Sequence, residues 1–254
     1  MPDAPPAAAE ARGTPPTPRT PALVIGSIRI TGWRFQLIQI VIFGAIGALV
    51  ATRLAQSARK VGWSQTVGHA WPLYASVALW VAFSAYWSAA ARSASTVRRA
   101  ETRGSRSFHL LLLNGSMLLI YISLPGLGGR FVPDTQLVHI IGIAIQALFF
   151  LFAVWARRHL GRNWSGDVTV KVDHELVRTG PYRRIRHPIY TAMFGMYAGA
   201  AIAIGEVHSL VALGILILAY GRKIGLEETA LRGEFGPAYD DYRRHSWAAI
   251  PPIW

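Results

Sequence analysis

Apolar residues along this chain fall in long charge-free blocks instead of amphipathic stripes: 35–52, 69–91, 108–127 and 137–156, then two shorter ones, 189–205 and 207–221. A hydrocarbon layer of roughly 30 Å takes about 17–25 helical residues to cross, so the first four blocks are long enough to span it. The last two are at the lower limit and are separated only by Glu206. They predict a tight helical hairpin with Glu206 and His208 at its far tip. The expected fold is all-α: a polytopic membrane protein of about six transmembrane helices, with a C-terminal helical hairpin and cytoplasmic loops. Three regions follow from the pattern: a tail at 1–30, a four-helix transmembrane region at 31–156, and a region of polar loops and hairpin at 157–254.

Charge supports that reading. The chain carries a formal net charge of +13 on 254 residues, of which only 15% are charged. With six spans, Arg53, Arg59, Lys60 and Arg130 lie on one side of the membrane, and the other 22 of the 26 basic residues lie on the opposite side with both termini. That asymmetry is what the positive-inside rule gives for cytoplasmic termini. It also accounts for the high charge without nucleic acid, since no recognised nucleic-acid motif is present. Residues 1–21 hold seven of the 15 prolines and no apolar core. They read as a disordered cytoplasmic tail and not as a signal peptide. The absence of Cys excludes a disulfide framework, a thiolate metal site and a thiol nucleophile. No metal is expected. An Arg count of 23 against 3 Lys points to a high-GC bacterial gene, hence to a bacterial inner membrane.

Candidate chemistry is confined to two polar segments, 157–188 and 222–254, which face one compartment and are joined by the hairpin. The first four apolar blocks contain no Asp, Glu, Lys or Arg, and His139 is their main polar exception, read as a hydrogen-bonded helix-end residue. Without intramembrane charge, a transporter or channel has little to stand on. Thr179-Gly180-Pro181-Tyr182 is a turn signal, and Arg186-His187-Pro188 then opens the fifth helix, with Pro188 at its first position. Free amides, the helix dipole, Arg186 and His187 converge there, as an anion site requires. Arg178, Arg183 and Arg184 read as anchors to anionic lipid. Glu227 and Glu228 follow the last apolar block, near an expected helix C-terminus where negative charge is disfavoured. Lys223, four residues earlier, can neutralise one carboxylate along the helix face. The other requires a second cation. Phe235, Tyr239 and Tyr242 fall at i, i+4, i+7 and read as the packing stripe of an interfacial helix. A zwitterion with an amino-acid group would satisfy both the anion site and the acidic pair.

The ordered set His-Glu-Leu-Val (174–177), Gly-Pro-Tyr (180–182), Arg-His-Pro-Ile-Tyr (186–190), Glu-Glu (227–228) and Phe-Gly-x-x-Tyr-x-x-Tyr (235–242) resembles the membrane methyltransferases of the isoprenylcysteine carboxyl methyltransferase and phospholipid methyltransferase superfamily. The resemblance runs from about residue 160 to the C-terminus. It implies S-adenosylmethionine as cofactor, enclosed by His174, Glu175, Leu176, Val177, Tyr182, Arg186, His187, Pro188, Ile189 and Tyr190, with Glu227 and Glu228 at its ammonium end. It implies a lipophilic small-molecule or lipid acceptor (carboxylate, amine or thiol) entering from the membrane. Lys223 stands where the family carries an acceptor-orienting Arg, with Arg222 beside it, so the implied catalytic set is Lys223, Arg222 and Glu227. Ala192 stands where many members have Gly. Two alternatives remain beside this: an NADPH-dependent enzyme of the sterol-reductase type, which has a similar His-Pro-x-Tyr, and a non-catalytic membrane scaffold.

Overall fold

The computed structural model describes residues 62–91, 102–122, 124–161 and 176–254, with scattered positions between 41 and 59. The expected tail at 1–30 and the basic stretch at 92–100 lie outside the described residues, as do 162–175. Among the described residues six helices are complete: α1 (Trp63–Ala91), α2 (Arg103–Tyr121), α3 (Gln136–Leu160), α4 (Pro188–Ile204), α5 (Val207–Phe235) and α6 (Pro237–Arg244). The described positions of the first apolar block are helical, and Ile46 and Val50 are buried in the common core. Among the described residues there is no strand, only two isolated bridges.

Ala70–Ala90 within α1, α3 and α5 are long and apolar enough to cross a membrane, and α4, at 17 residues, is a shorter apolar helix. What these helices turn outward and inward supports an integral membrane protein. Large apolar side chains face out, Leu111, Leu137, Leu151 and Leu218 among them, the last 74% exposed. The buried positions include Ser76, Ser116, Gln146 and His208. Hydrophobic burial drives little helix association in lipid, so packing of small residues and interhelical hydrogen bonds must do so. Both are present. Gln146 on α3 donates to the Ser76 carbonyl on α1 at 3.1 Å, Ser76 pairs with Tyr121 on α2 at 2.8 Å, and Ser116 on α2 pairs with Tyr197 on α4 at 3.2 Å. The α3–α4 contact is the closest in the bundle's glycine positions: a Cβ on Gly199 would sit 2.5 Å from the Gln146 backbone nitrogen and 2.7 Å from the Gly142 oxygen.

Helix ends follow local chemistry. Thr102 and Thr135 cap α2 and α3, accepting from the backbone of Ser105 and Val138. Pro188 starts α4 and Gly205, at φ 77°, ends it. The hairpin tip is where the sequence placed it. Glu206 meets His208 at 2.9 Å, and the loop after α2 stitches the tip down through Phe131 N to Gly205 O (2.9 Å) and Val207 N to Gly129 O (2.8 Å). His139 is a hydrogen-bonded helix-end residue as expected, donating from Nδ1 to the Ala203 carbonyl at 2.8 Å.

Two lengths differ from expectation. The third apolar block runs to residue 127, but α2 stops at Tyr121, because Pro125 and Gly126 (φ 83°) turn the chain. The last block ends at residue 221, yet α5 continues to Phe235. Residues 222–235 are mostly Arg, Lys, Leu, Glu and Ala, good helix formers that need no lipid contact. At 1.5 Å per residue, Glu227 lies about 30 Å along α5, the thickness of a hydrocarbon core.

Replacing Gly199 by Leu is expected to force α3 and α4 apart at a cost on the order of 1–3 kcal/mol or more, whereas Gly214→Leu, at a position with nothing within 4 Å, should be tolerated. Thermal unfolding midpoints in detergent check this; equal midpoints for the two variants would contradict the close approach.

Candidate functional site

The segment between α3 and α4 enters the site through Gly180-Pro181-Tyr182-Arg183, a 3-10 turn. Gly180 has φ 56°, and a Cβ there would fall 2.5 Å from the His159 ring, so this turn requires glycine on two counts. Tyr182 is buried and stacks on His159. The chain then reaches Arg186 and His187, whose backbone N–H groups donate to the carbonyls of Trp247 (2.8 Å) and Ala248 (2.9 Å). Trp247 N in turn donates to Arg184 O at 2.8 Å, and Thr191 Oγ1 to Ala249 O at 2.5 Å. The C-terminal tail is thereby strapped across the start of α4.

The carboxylates of α5 meet these groups directly. Glu228 lies 2.8 Å from Arg186 Nε, 3.1 Å from Arg243 Nε and 3.5 Å from His187 Nε2. Arg186 also donates to the carbonyl of Ser246. Glu227 accepts from Tyr190 Oη at 2.5 Å and lies 3.3 Å from His187 Nδ1. The Tyr190 ring stacks parallel to His187 (centroids 5.5 Å) and packs on Tyr220 (4.4 Å), with Lys223 Nζ 6.0 Å from its centroid. Burial opposes a charge on His187, but the close carboxylates of Glu227 and Glu228 outweigh it and hold its pKa above the ordinary value. Burial pushes the phenols of Tyr182 and Tyr239 up and that of Tyr242 to about 12, so all three remain neutral donors at physiological pH. The Tyr242 hydroxyl donates to the Tyr182 carbonyl. The hydroxyls of Tyr182 and Tyr239 are buried without a hydrogen-bond partner.

This geometry changes three readings. The anion point at Arg186-His187 and the acidic pair are one cluster: the anions there are the chain's own carboxylates, and the backbone amides of Arg186 and His187 go to the tail. Glu227 and Glu228 are not at a helix end, since α5 runs on to Phe235. The stripe of Phe235, Tyr239 and Tyr242 is divided by Gly236 (φ 50°) and Pro237, which starts α6. Tyr239 and Tyr242 are buried and serve packing. Arg178 holds α6 through Asp241 (3.5 Å) and the Tyr242 ring, whereas Arg183 and Arg184 are exposed, as lipid anchoring needs.

Of the expected site residues, Tyr182, Arg186, His187, Pro188, Tyr190, Glu227, Glu228 and Lys223 come together. Ile189, Leu176 and Val177 are half-buried. His174 and Glu175 lie outside the described residues. Arg222 turns away, donating to Ser105 on α2 at 2.5 Å. Sequence reasoning missed Arg243, the 246–249 strap and Tyr220. Tyr220 carried a signal: it precedes Glu227 by seven residues, two helical turns on the same face.

The fold and site define an all-helical membrane-type bundle with a buried, charge-paired polar cluster at one end. The family described as phospholipid methyltransferase matches residues 137–238. A protein-S-isoprenylcysteine O-methyltransferase of Schizosaccharomyces pombe is 32% identical over 96 residues, 37% of this chain and 41% of that one. The nickel-cobalt-cadmium resistance protein NccN of Alcaligenes xylosoxydans is 35% identical over 97 residues, 37% of this chain and 45% of its own. These matches span less than half of either partner's length. The structure of the eukaryotic intramembrane Ras methyltransferase ICMT shares the fold at a TM-score of 0.56 and 17% identity, covering 89% of this chain and 88% of that one. Together these likenesses are to the isoprenylcysteine carboxyl methyltransferase and phospholipid methyltransferase superfamily. They do not favour a reductase.

Removing one partner of a buried ion pair strands the other, at about 3–5 kcal/mol. Arg186→Leu is therefore expected to lower the unfolding midpoint sharply, and adding Glu228→Gln to recover part of the loss. No recovery in the double variant would contradict the pairing. Because the folded pKa of His187 is raised, its contribution is complete below its unfolded pKa of about 6.5 and fades as pH rises through the folded value. The midpoint of wild type should fall toward alkaline pH more than that of His187→Gln; parallel pH profiles would show that His187 carries no linked proton.

Proposed function

We propose that the protein is a membrane methyltransferase that moves the methyl group of S-adenosylmethionine to a lipophilic acceptor at the cytoplasmic face. The observation that carries this is the Arg186–His187–Tyr190–Glu227–Glu228 cluster within the segment matched by the family. The residues fit such a cofactor. Glu228 is engaged with two guanidinium groups, whereas Glu227 meets the Tyr190 phenol and His187, with Lys223 acting on it electrostatically, and would receive an ammonium group beside them. The orphaned hydroxyls of Tyr182 and Tyr239 offer donors to a ligand rich in acceptors. His174 to Val177 would complete the enclosure.

When bound, S-adenosylmethionine supplies an electrophilic methyl group. The chain's own part is to bind, orient and exclude water, since effective-molarity effects of good positioning are worth about 7–11 kcal/mol. Lys223, beside the Tyr190 ring, would pair as a point charge with an anionic group carried by the acceptor. Arg222, tied to Ser105, shapes the adjoining wall. Six spans with both termini cytoplasmic in a bacterial inner membrane fit this arrangement: the apolar tail of the acceptor stays in lipid while its head meets the boundary-level cluster.

Calorimetry on the detergent-purified protein tests the reading. Wild type should bind S-adenosylhomocysteine saturably and NADPH not at all, and Glu227→Gln should weaken S-adenosylhomocysteine at least about tenfold, the equivalent of 1.4 kcal/mol. No binding to folded wild type overturns the function; unchanged binding to the variant overturns the role of Glu227.

A further inference from the structure

The sequence reading passed over His109, which lies in the third apolar block. It is 5% exposed, and its ring bears on the Ala219 carbonyl, but neither nitrogen closes a hydrogen bond of good geometry. His208, equally buried, has both nitrogens satisfied, by Leu119 O and Glu206. A buried ring nitrogen without a full hydrogen bond is costly, so it needs an explanation in this fold.

The surroundings of His109 supply one. The first turns of α2 pack on α5 at residues 219–223: Ser105 accepts from Arg222, Phe108 lies 5.9 Å from the Arg222 guanidinium carbon, and the His109 ring meets Tyr220 edge-on at 5.4 Å. Tyr220 is shared, for its other contact is Tyr190, which holds Glu227. Lys223, Arg222 and Glu227 on α5 all bear electrostatically on His109, as does the Ala219 carbonyl. His109 thus stands one ring away from the cluster, across Tyr220, six residues into α2 and about 9 Å from its start.

We propose that His109 takes the proton of the methyl acceptor, and that the acceptor head is accordingly an amine or a thiol and not a carboxylate. This rests on the methyltransferase reading above and deepens it. A neutral imidazole offers one donor and one acceptor nitrogen. With its N–H toward the Ala219 carbonyl, the other nitrogen is left with a lone pair that a hydrogen-bearing head can meet and a carboxylate cannot. In the transfer the acceptor's N or S forms a bond to the methyl carbon, the carbon–sulfur bond of the sulfonium breaks to a neutral thioether, and the acceptor's proton passes to His109. A carboxylate has no proton to give and leaves the imidazole unmet.

The test uses full-length protein in phosphatidylcholine vesicles with three probes of equal tail length: dodecylamine, dodecanethiol and dodecanoic acid. The ring ¹⁵N signal of His109, identified by its loss in His109→Phe, should move on adding the amine or the thiol and stay put with the acid. Methyl transfer from labelled S-adenosylmethionine to that same probe should fall about 100-fold or more in His109→Phe, recover in part with free imidazole, and leave S-adenosylhomocysteine affinity unchanged. His109→Gln, which keeps hydrogen bonding without basicity, should fail likewise. A signal that no probe moves, a rate unaffected by the substitutions, transfer to dodecanoic acid alone, or no transfer by a protein that binds S-adenosylhomocysteine overturns the proposal. If wild type binds no S-adenosylhomocysteine while the amine or thiol still moves the signal, the hydrogen-bearing head group stands and the methyltransferase reading falls.

Discussion

Two adjacent carboxylates, Glu227 and Glu228, must be neutralised at the level where α5 leaves the apolar layer, and the surrounding structure is arranged to do so. Arg186 and Arg243 flank Glu228, while His187 and Tyr190 face Glu227. Those four groups come from the residues leading into α4, its first turn and the end of α6. The cluster therefore joins these segments to α5 by charge, beside the apolar burial of Ala248 and Ala249 in the common core. The backbone bonds of the 246–249 strap follow from it, because Arg186 cannot reach both Glu228 and the Ser246 carbonyl unless the tail lies across it.

Elsewhere the bundle obeys lipid as its solvent. Gly142 and Gly199 let two backbones touch, and Gln146, Ser76, Tyr121, Ser116 and Tyr197 link four helices by hydrogen bonds. Large side chains such as Leu218 face outward. Arg157, buried in the last turn of α3, donates to the carbonyls of Ala90 and Gly161 and so ties the ends of α1 and α3 together.

Much of this was legible in the residues. Pro188 fixed the start of α4, Glu206 and His208 marked the hairpin tip, and His139 was read correctly as a helix-end group. Apolar blocks, however, measure lipid contact and not helix length, so the charged final turns of α5 were lost and the acidic pair was placed at a helix end. The partners of Glu228 were illegible for a different reason. Arg243 is 15 residues downstream and reaches back only because Gly236 turns the chain into α6. His109 carries no formal charge, so its apolar block gives no sign of it.

Hydrogen–deuterium exchange with and without S-adenosylhomocysteine tests the central claim most directly, that one ligand site is built from the α4 start, the carboxylate turn of α5 and the tail. Ligand should slow exchange together at 180–191, 225–232 and 245–250, and leave the opposite end of the bundle, 126–135 and 204–208, unchanged. Protection at that opposite end, or protection of 180–191 without the tail, would contradict a shared site at the carboxylate cluster.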